Sequence, residues 1–365
     1  MRFLVKSSDN RLSLNPIIKL SIFCIFIIIG SSANPSFSNA QDEYDLTLSD
    51  IQIRDPNITY YNGYYYMTGT TAEDGFLGYK SEDLCDWKSI GYIYRRNSSN
   101  YWAQYHFWAP EITSYNSHFY LFYTGKAEGH NRGTGVAVAE TPEGPFIDLK
   151  KDPLTPSEYQ CLDGHLFQHP NGTLYFIYVY EWLNEGNGAM WIQEVSSNLT
   201  HLMGDPVQLF EGPDPQWGNT VVDGPSMLYF EDTYYLFWST FDQTNDGKYC
   251  VGYSYSDDIY GPYTHAKKPI VRDDGGHSTY FYEKNNISKT RYITYHQPNA
   301  GPERAQIREL VFDSEDSRWY VIPPEEGPIP AYIFYILAGI ALLGISAILL
   351  IIKRQKIKKN PKAKM

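Results

Sequence analysis

Three aspartates stand in motifs that recur along the chain: Asp55 in Arg54-Asp55-Pro56, Asp163 in Asp163-Gly164-His165 and Asp223 in Asp223-Gly224-Pro225. His277, after Gly275-Gly276, opens a comparable stretch. A lone aspartate in an Asp-Gly or Asp-Pro pair is ordinarily a turn former. Three at one register of a repeated unit can instead face one another across an axis, and clustered carboxylates do acid/base work. Hydrolysis of a glycosidic bond takes one carboxylic acid to protonate the leaving oxygen and one carboxylate to activate water or attack carbon. A third carboxylate nearby raises the pKa of the acid, because like charges resist joint ionisation. Glu181, in Tyr180-Glu181-Trp182, ends the strand paired with the one starting at Asp163. An antiparallel return places it on the same face, about 4.8 Å further from the axis.

The elements that position these residues follow from the repeat. The stretch Ile53 to Thr71 runs from Arg54-Asp55-Pro56 through an Asn62-Gly63 turn into Tyr64-Tyr65-Tyr66-Met67. Asn-Gly between two β-prone runs is a strong hairpin signal. Further copies open at Trp108-Ala109-Pro110-Glu111, Asp163, Asp223 and Gly275-Gly276-His277, about 54 to 60 residues apart. That period marks a propeller or a similar repeat architecture. Third strands are expected at Phe76–Tyr79, Gly135–Ala139, Met190–Ile192 and Val251–Ser254, with a turn into a fourth near Trp87 and Phe146. No long amphipathic helix intervenes, and the 33 tyrosines suit half-buried strands. The expectation is an all-β, five-bladed β-propeller whose inner strands bring Asp55, Asp163, Asp223 and His277 to one mouth of a central channel. The repeats lack the Gly-His and Trp-Asp pattern of WD40 blades and any kelch pattern.

The ends carry different signals. Residues 1–40 hold Arg2, Lys6, Arg11 and Lys19, an apolar run from Leu20 to Ile29 and a small-residue site at Ser38-Asn39-Ala40, which reads as a signal peptide. Residues 331–352 are uncharged and long enough to span a bilayer. Residues 353–365 carry seven lysines and arginines, which belong on the cytoplasmic side. The expected layout is therefore signal peptide 1–40, propeller 41–324, spacer 325–330, transmembrane helix 331–352 and basic tail 353–365, with the propeller extracellular or lumenal. One transmembrane helix makes the lipid bilayer a partner.

The formal net charge is −12; the tail contributes +7 and residues 1–40 contribute +3, so residues 41–330 carry about −22. Such a surface disfavours nucleic acid and acidic polysaccharides and suits a neutral substrate. Cys24 leaves with the signal peptide, and Cys85, Cys161 and Cys250 permit at most one internal bridge with three possible pairings. Sequons begin at Asn57, Asn97, Asn171, Asn198 and Asn286, and Asn57, just past Asp55 on an inner strand, is expected to stay bare.

Taken in order, Arg54-Asp55-Pro56, Trp108-Ala109-Pro110-Glu111, Asp163-Gly164, Asp223-Gly224-Pro225, Gly275-Gly276-His277, and Tyr295-His296 with Glu303-Arg304 resemble glycoside hydrolase family 43, from Ile51 to Phe312. The resemblance implies a five-bladed propeller that inverts the anomeric centre and acts on arabinose- or xylose-containing polysaccharides. It implies Asp55 as general base and Asp163 as the residue that orients the acid and tunes its pKa. The family usually has Glu-Gly-Pro where this chain has Asp223-Gly224-Pro225, and aspartate reaches about 1.5 Å less. Three readings of the acid follow: Asp223 in a narrower pocket first, Glu181 second, and loss of the acid third.

The resemblance also implies that His277 helps hold a structural calcium ion in the central channel, against the alternative of a histidine satisfied by backbone carbonyls. No other cofactor is required. It implies further that His296 and Arg304 contact sugar hydroxyls. Trp108 and Phe107 are the expected stacking platforms for the sugar ring. The expected activity is an inverting, membrane-anchored glycosidase with its acid and base about 6.5 to 9.5 Å apart. The rival is a non-catalytic glycan-binding propeller for surface adhesion or sensing. The sequence leaves the oligomeric state open.

Overall fold

The computed structural model describes residues 46–323, except 100, 185 and 284–289. The expected signal peptide, spacer, transmembrane helix, basic tail and Asn286 sequon lie outside the described residues. Twenty strands form five four-stranded antiparallel sheets, each built from one contiguous piece of chain. Blade one is β1 (Arg54–Tyr61), β2 (Tyr64–Thr70), β3 (Gly75–Ser81) and β4 (Lys88–Arg95). Blade two is β5 (Tyr105–Tyr115), β6 (His118–Lys126), β7 (Gly133–Ala139) and β8 (Ile147–Asp148). Blade three is β9 (Cys161–Gln168), β10 (Leu174–Tyr180), β11 (Ala189–Val195) and β12 (Leu202–Glu211). Blade four is β13 (Asp223–Phe230), β14 (Thr233–Asp242), β15 (Lys248–Ser256) and β16 (Thr264–His265). Blade five is β17 (Gly276–Tyr282), β18 (Arg291–Gln297), β19 (Arg304–Asp313) and β20 (Arg318–Val321).

The inner strands β1, β5, β9, β13 and β17 touch in that cyclic order, and β17 touches β1, so the ring closes. Aromatic and β-branched side chains fill the spaces between blades, with Trp87, Trp102, Trp217, Trp238 and Trp319 fully buried. The expected all-β propeller and its third strands are all present, and no helix occurs among the described residues. Cys161 and Cys250 are buried free thiols in blades three and four.

A repeated irregularity positions the site. Near the start of each inner strand the residue at the bulge has left-handed backbone: Asp55 (φ 52°), Ala109 (φ 45°), Asp163 (φ 53°), Gly224 (φ 56°) and His277 (φ 54°). The strand pairing slips at the same point in all five blades, as a β-bulge does. The residue before each bulge pairs with the second strand: Arg54 with Thr70, Trp108 with Thr124, Leu162 with Val179, Asp223 with Ser239 and Gly276 with His296.

This register corrects one expectation. Gly224, not Asp223, shares the bulge position with Asp55, Asp163 and His277. Asp223 stands one residue earlier, level with Arg54 and Trp108.

The bulged residues are tied across blades. Ala109 N–H donates to Thr70 Oγ1 (2.8 Å), Asp163 N–H to Thr124 Oγ1 (3.0 Å), His277 N–H to Ser239 Oγ (2.7 Å) and Asp55 N–H to His296 Nδ1 (3.2 Å). In each case the acceptor sits on the second strand of the preceding blade. Val179 holds that place in blade three and has no acceptor, so Gly224 N–H donates to Asp163 Oδ2 (3.0 Å) instead. One apolar residue in the ring thus aims a carboxylate at the neighbouring blade.

Candidate active site

The starts of the inner strands surround a cavity of about 520 Å³ lined by Arg54, Asp55, Trp108, Asp163, Glu181, Trp182, Asp223, Tyr249 and His277, among others. Below it the channel narrows at Asp55, Asp163, Gly224 and His277 to about 10 Å³, room for about one water. A larger cavity of about 690 Å³ opens at the far end of the channel, but none of the three aspartates lines it.

Asp55 is buried, and its carboxylate accepts from Thr70 Oγ1 at 2.7 Å, with Arg54 Nε at 3.6 Å and His277 Nδ1 at 3.4 Å. Burial penalises its charge, yet His277, His296, Arg54 and the Thr70 hydroxyl outweigh that and hold its pKa below the usual carboxylate value. His296, fully buried, is itself pushed down to about 4 by burial. At neutral pH its ring is uncharged, with Nδ1 accepting from the Asp55 amide and Nε2 facing Asn299 Oδ1.

Asp163 is pushed the other way, to about 8, by burial first and then by the charge of Asp55, against the Gly224 N–H that favours ionisation. Asp223 is raised to about 7 by burial and then by Asp163, against a hydrogen bond from the Tyr249 hydroxyl at 2.8 Å. Three carboxyls in one cavity are therefore split by environment. Asp55 is an anion that can take a proton from water, and Asp223 keeps a proton close to neutrality and can give it away.

The chain carries a match to the family model for glycosyl hydrolases family 43 over residues 47–314, nearly all of the described propeller. The chain belongs to this family.

Solved structures agree with family 43. The chain superposes on an endo-arabinase from Bacteroides thetaiotaomicron with a TM-score of 0.71 and 31% identity, covering 75% of this chain and 99% of that one. It superposes on a thermostable family-43 glycoside hydrolase with a TM-score of 0.68 and 26% identity, covering 81% and 98%. Among characterised relatives, a β-D-galactofuranosidase of Aspergillus niger is 25% identical over 267 residues, 67% of this chain and 73% of its own length. As a member of family 43, the protein is a glycosidase that cleaves glycosidic bonds.

The family 43 chain departs from the sequence expectation at four residues. Phe107 is 1% exposed and packs with Phe76, Tyr94 and Tyr123 in the blade core, because its side chain points away from the channel that its neighbour Trp108 lines. His296 does not line this cavity and serves as the inter-blade acceptor for Asp55. Arg304 also lies away from the cavity, with Nε donating to Ser49 O at 2.8 Å and a terminal nitrogen to Glu303 O at 2.9 Å, so it fastens the lead-in segment to blade five. Glu181 lines the cavity, but both its oxygens are engaged by Arg132. Trp108 does line the cavity, with His106 stacked on it at 4.4 Å and the Arg132 guanidinium 4.5 Å from its ring. Trp182, 46% exposed, is a further aromatic at the cavity, where Phe107 is not.

His277 Nδ1 faces Asp55 and Asp163, at 3.4 and 3.7 Å. Among the described residues no group of three or more His, Cys, Asp or Glu side chains is placed to hold a metal ion. His277, with Asp55 and Asp163 beside it, is the residue that would face a calcium ion in the channel, and no step of the chemistry is routed through one.

Arg54, Trp182, Tyr249 and Arg132 are site residues to which the sequence assigned no role. Arg54 adjoins Asp55 in a quoted motif and was within reach. Tyr249 and Arg132 sit in a strand and a loop with no local signal.

Proposed function

We propose that this family 43 glycosidase hydrolyses neutral glycans containing arabinose or xylose by single displacement with inversion. Asp55 takes the proton of the attacking water, Asp223 protonates the leaving oxygen, and Asp163, bonded to the Gly224 amide beside Asp223, orients the acid and raises its pKa. The observation that carries this reading is the opposite shift of Asp55 and Asp223 within one cavity, a base and an acid made from the same side chain. Asp223 ranks above Glu181 as the acid because both Glu181 oxygens are engaged by the Arg132 guanidinium.

The sugars named for relatives support the substrate class: arabinan for a Bacillus subtilis arabinanase, 24% identical over 239 residues, and xylose for a Xylanibacter ruminicola β-xylosidase, 24% identical over 214. The strongly acidic surface of residues 41–330 supports an uncharged polymer.

The proposal extends to location. The apolar run at 331–352 and the basic tail support a propeller held at a membrane on its outer or lumenal side. Among the described residues no helix is long and apolar enough to cross a membrane.

The test is turnover by the purified, detergent-solubilised chain of aryl α-L-arabinofuranoside, β-D-xyloside and β-D-galactofuranoside, with linear arabinan and xylan. Asp55→Asn is the control. Proton NMR of the first-formed anomer reads the stereochemistry. Turnover that survives Asp55→Asn, or a product of retained configuration, overturns the mechanism. Absence of turnover alongside tight binding of one glycan returns the protein to the glycan-binding reading.

A further inference from the structure

We infer that Tyr249 is the positioning residue of the general acid, because its hydroxyl bonds Asp223 while its ring rests on the histidine that holds Asp55. The inference rests on the assignment of Asp223 as acid.

Tyr249 lies on β15, the third strand of blade four, and is 1% exposed. Its hydroxyl is 2.8 Å from Asp223 Oδ2. Burial, and then the charge of Asp223, raise its own pKa well above 10, so it stays protonated and donates. With Oδ2 engaged as acceptor, the transferable proton of Asp223 belongs on Oδ1. The tyrosine thus selects which oxygen delivers it.

The ring does a second thing. Its centroid is 5.6 Å from that of His296, with the planes inclined by 24°, and His296 Nδ1 accepts from the Asp55 amide. One rigid side chain therefore spans from the acid to the support of the base. It reaches that place because of Gly276: a Cβ there would come within 2.2 Å of the Tyr249 ring. Gly276 occupies the position that carries Arg54, Trp108, Leu162 and Asp223 in the other blades. Blade five gives up its side chain at the channel mouth, and the tyrosine of blade four fills the space. An acid on the short aspartate stem gains a fixed direction from this contact.

Asp223 is faced by Asp163, Tyr249, His277, Asp55 and Arg54. Of these, the Tyr249 hydrogen bond lowers its pKa, so removing the hydroxyl raises it.

The experiment is Tyr249→Phe in the full chain, which keeps the ring and removes the hydroxyl, with Gly276→Ala as a second variant that pushes the ring aside. Two substrates of the same sugar are compared: a disaccharide, whose leaving group needs a proton, and a dinitrophenyl glycoside, whose leaving group does not. The expected result for Tyr249→Phe is a kcat on the disaccharide reduced by about 10- to 100-fold with KM little changed, and activity on the dinitrophenyl glycoside within about threefold. Gly276→Ala, which also disturbs the support of Asp55, should lower activity on both substrates. The alkaline limb of kcat/KM should also move upward in Tyr249→Phe. Equal losses on both substrates in Tyr249→Phe, an unmoved limb in that variant, or a Gly276→Ala protein as active as the unaltered one would overturn the inference.

If the unaltered protein turned over neither substrate, the assignment of the acid would fail on its own. Carbon-13 NMR of aspartate-labelled protein then reads Tyr249 directly. The carboxyl titrating near 7 should shift upward in Tyr249→Phe, and an unchanged midpoint would reject the contact as a determinant of its protonation.

Discussion

At the scale of single residues, the separation of acid from base by environment alone has a measurable shape. On the proposed mechanism, activity requires Asp55 ionised and Asp223 protonated. Asp55 is held below the usual carboxylate range, so the acid limb of the pH profile should lie low; Asp223 titrates near 7, so the rate should fall as pH rises through about 7. A profile flat from pH 5 to 9 would contradict the assignment. The choice between Asp223 and Glu181 is tested by paired substitutions. Asp223→Asn should lower kcat on a poor leaving group by about 10²- to 10⁴-fold, the usual range for losing a general acid. Glu181→Gln keeps the shape and loses only the pairing with Arg132, so its loss should stay below about tenfold. The reverse order in a kcat comparison would make Glu181 the acid.

At the scale of the strand, the bulges hold the constellation together through hydroxyls that serve two partners. Thr70 Oγ1 accepts from the Ala109 amide at 2.8 Å and donates to Asp55 at 2.7 Å, so it joins blade two to the base. Thr70→Val should cost about 1–3 kcal/mol in denaturant unfolding, since it strands a buried amide. It should also move the acid limb of the pH profile upward, because the lost bond is one that lowers the pKa of Asp55. Loss of stability with an unmoved limb would confine Thr70 to a structural part. The same element shows what could be read from the chain beforehand. The strands were legible because aromatic runs and Asn-Gly turns recur at a fixed period, and Asp55 and Asp163 because each stands at the same place in its repeat. The offset of Asp223 was not legible: Asp223-Gly224 and Asp163-Gly164 look alike, and only the bulge decides which of the two residues turns to the axis. Phe107 and Trp108 were separable in principle, since neighbours on a strand face opposite ways. His296 and Arg304 were not, because their partners Asp55 and Ser49 lie 241 and 255 residues away and meet them only when the ring closes.

At the scale of the molecule, that closure joins the two ends of a ring whose blades are each made from one piece of chain. No strand is shared between blade five and blade one. The seam is held instead by a buried cluster of Ile51, Ile53, Ile58, Tyr65 and Met67 with Phe281 and Ala305. Around it run Ile53 N–H to Glu303 O (3.1 Å), Arg304 to Ser49 O (2.8 Å) and Arg54 to Asn299 (2.9 Å). Asp55, the proposed general base, sits on this seam, and its amide is fastened across it to His296. Opening the seam therefore separates Asp55 from its support while the cores within blades two to four stay packed. Ile53→Ala should cost about 2–5 kcal/mol as a core truncation. It should do so unevenly: glycosidase activity should disappear at a lower urea concentration than the far-ultraviolet circular dichroism of the strands, and Arg304→Ala should show the same order with a smaller gap. Parts of one fold can open locally below the global transition when their stabilities differ. If activity and strand signal are lost together in both variants, the ring melts as one unit and the seam has no independent opening.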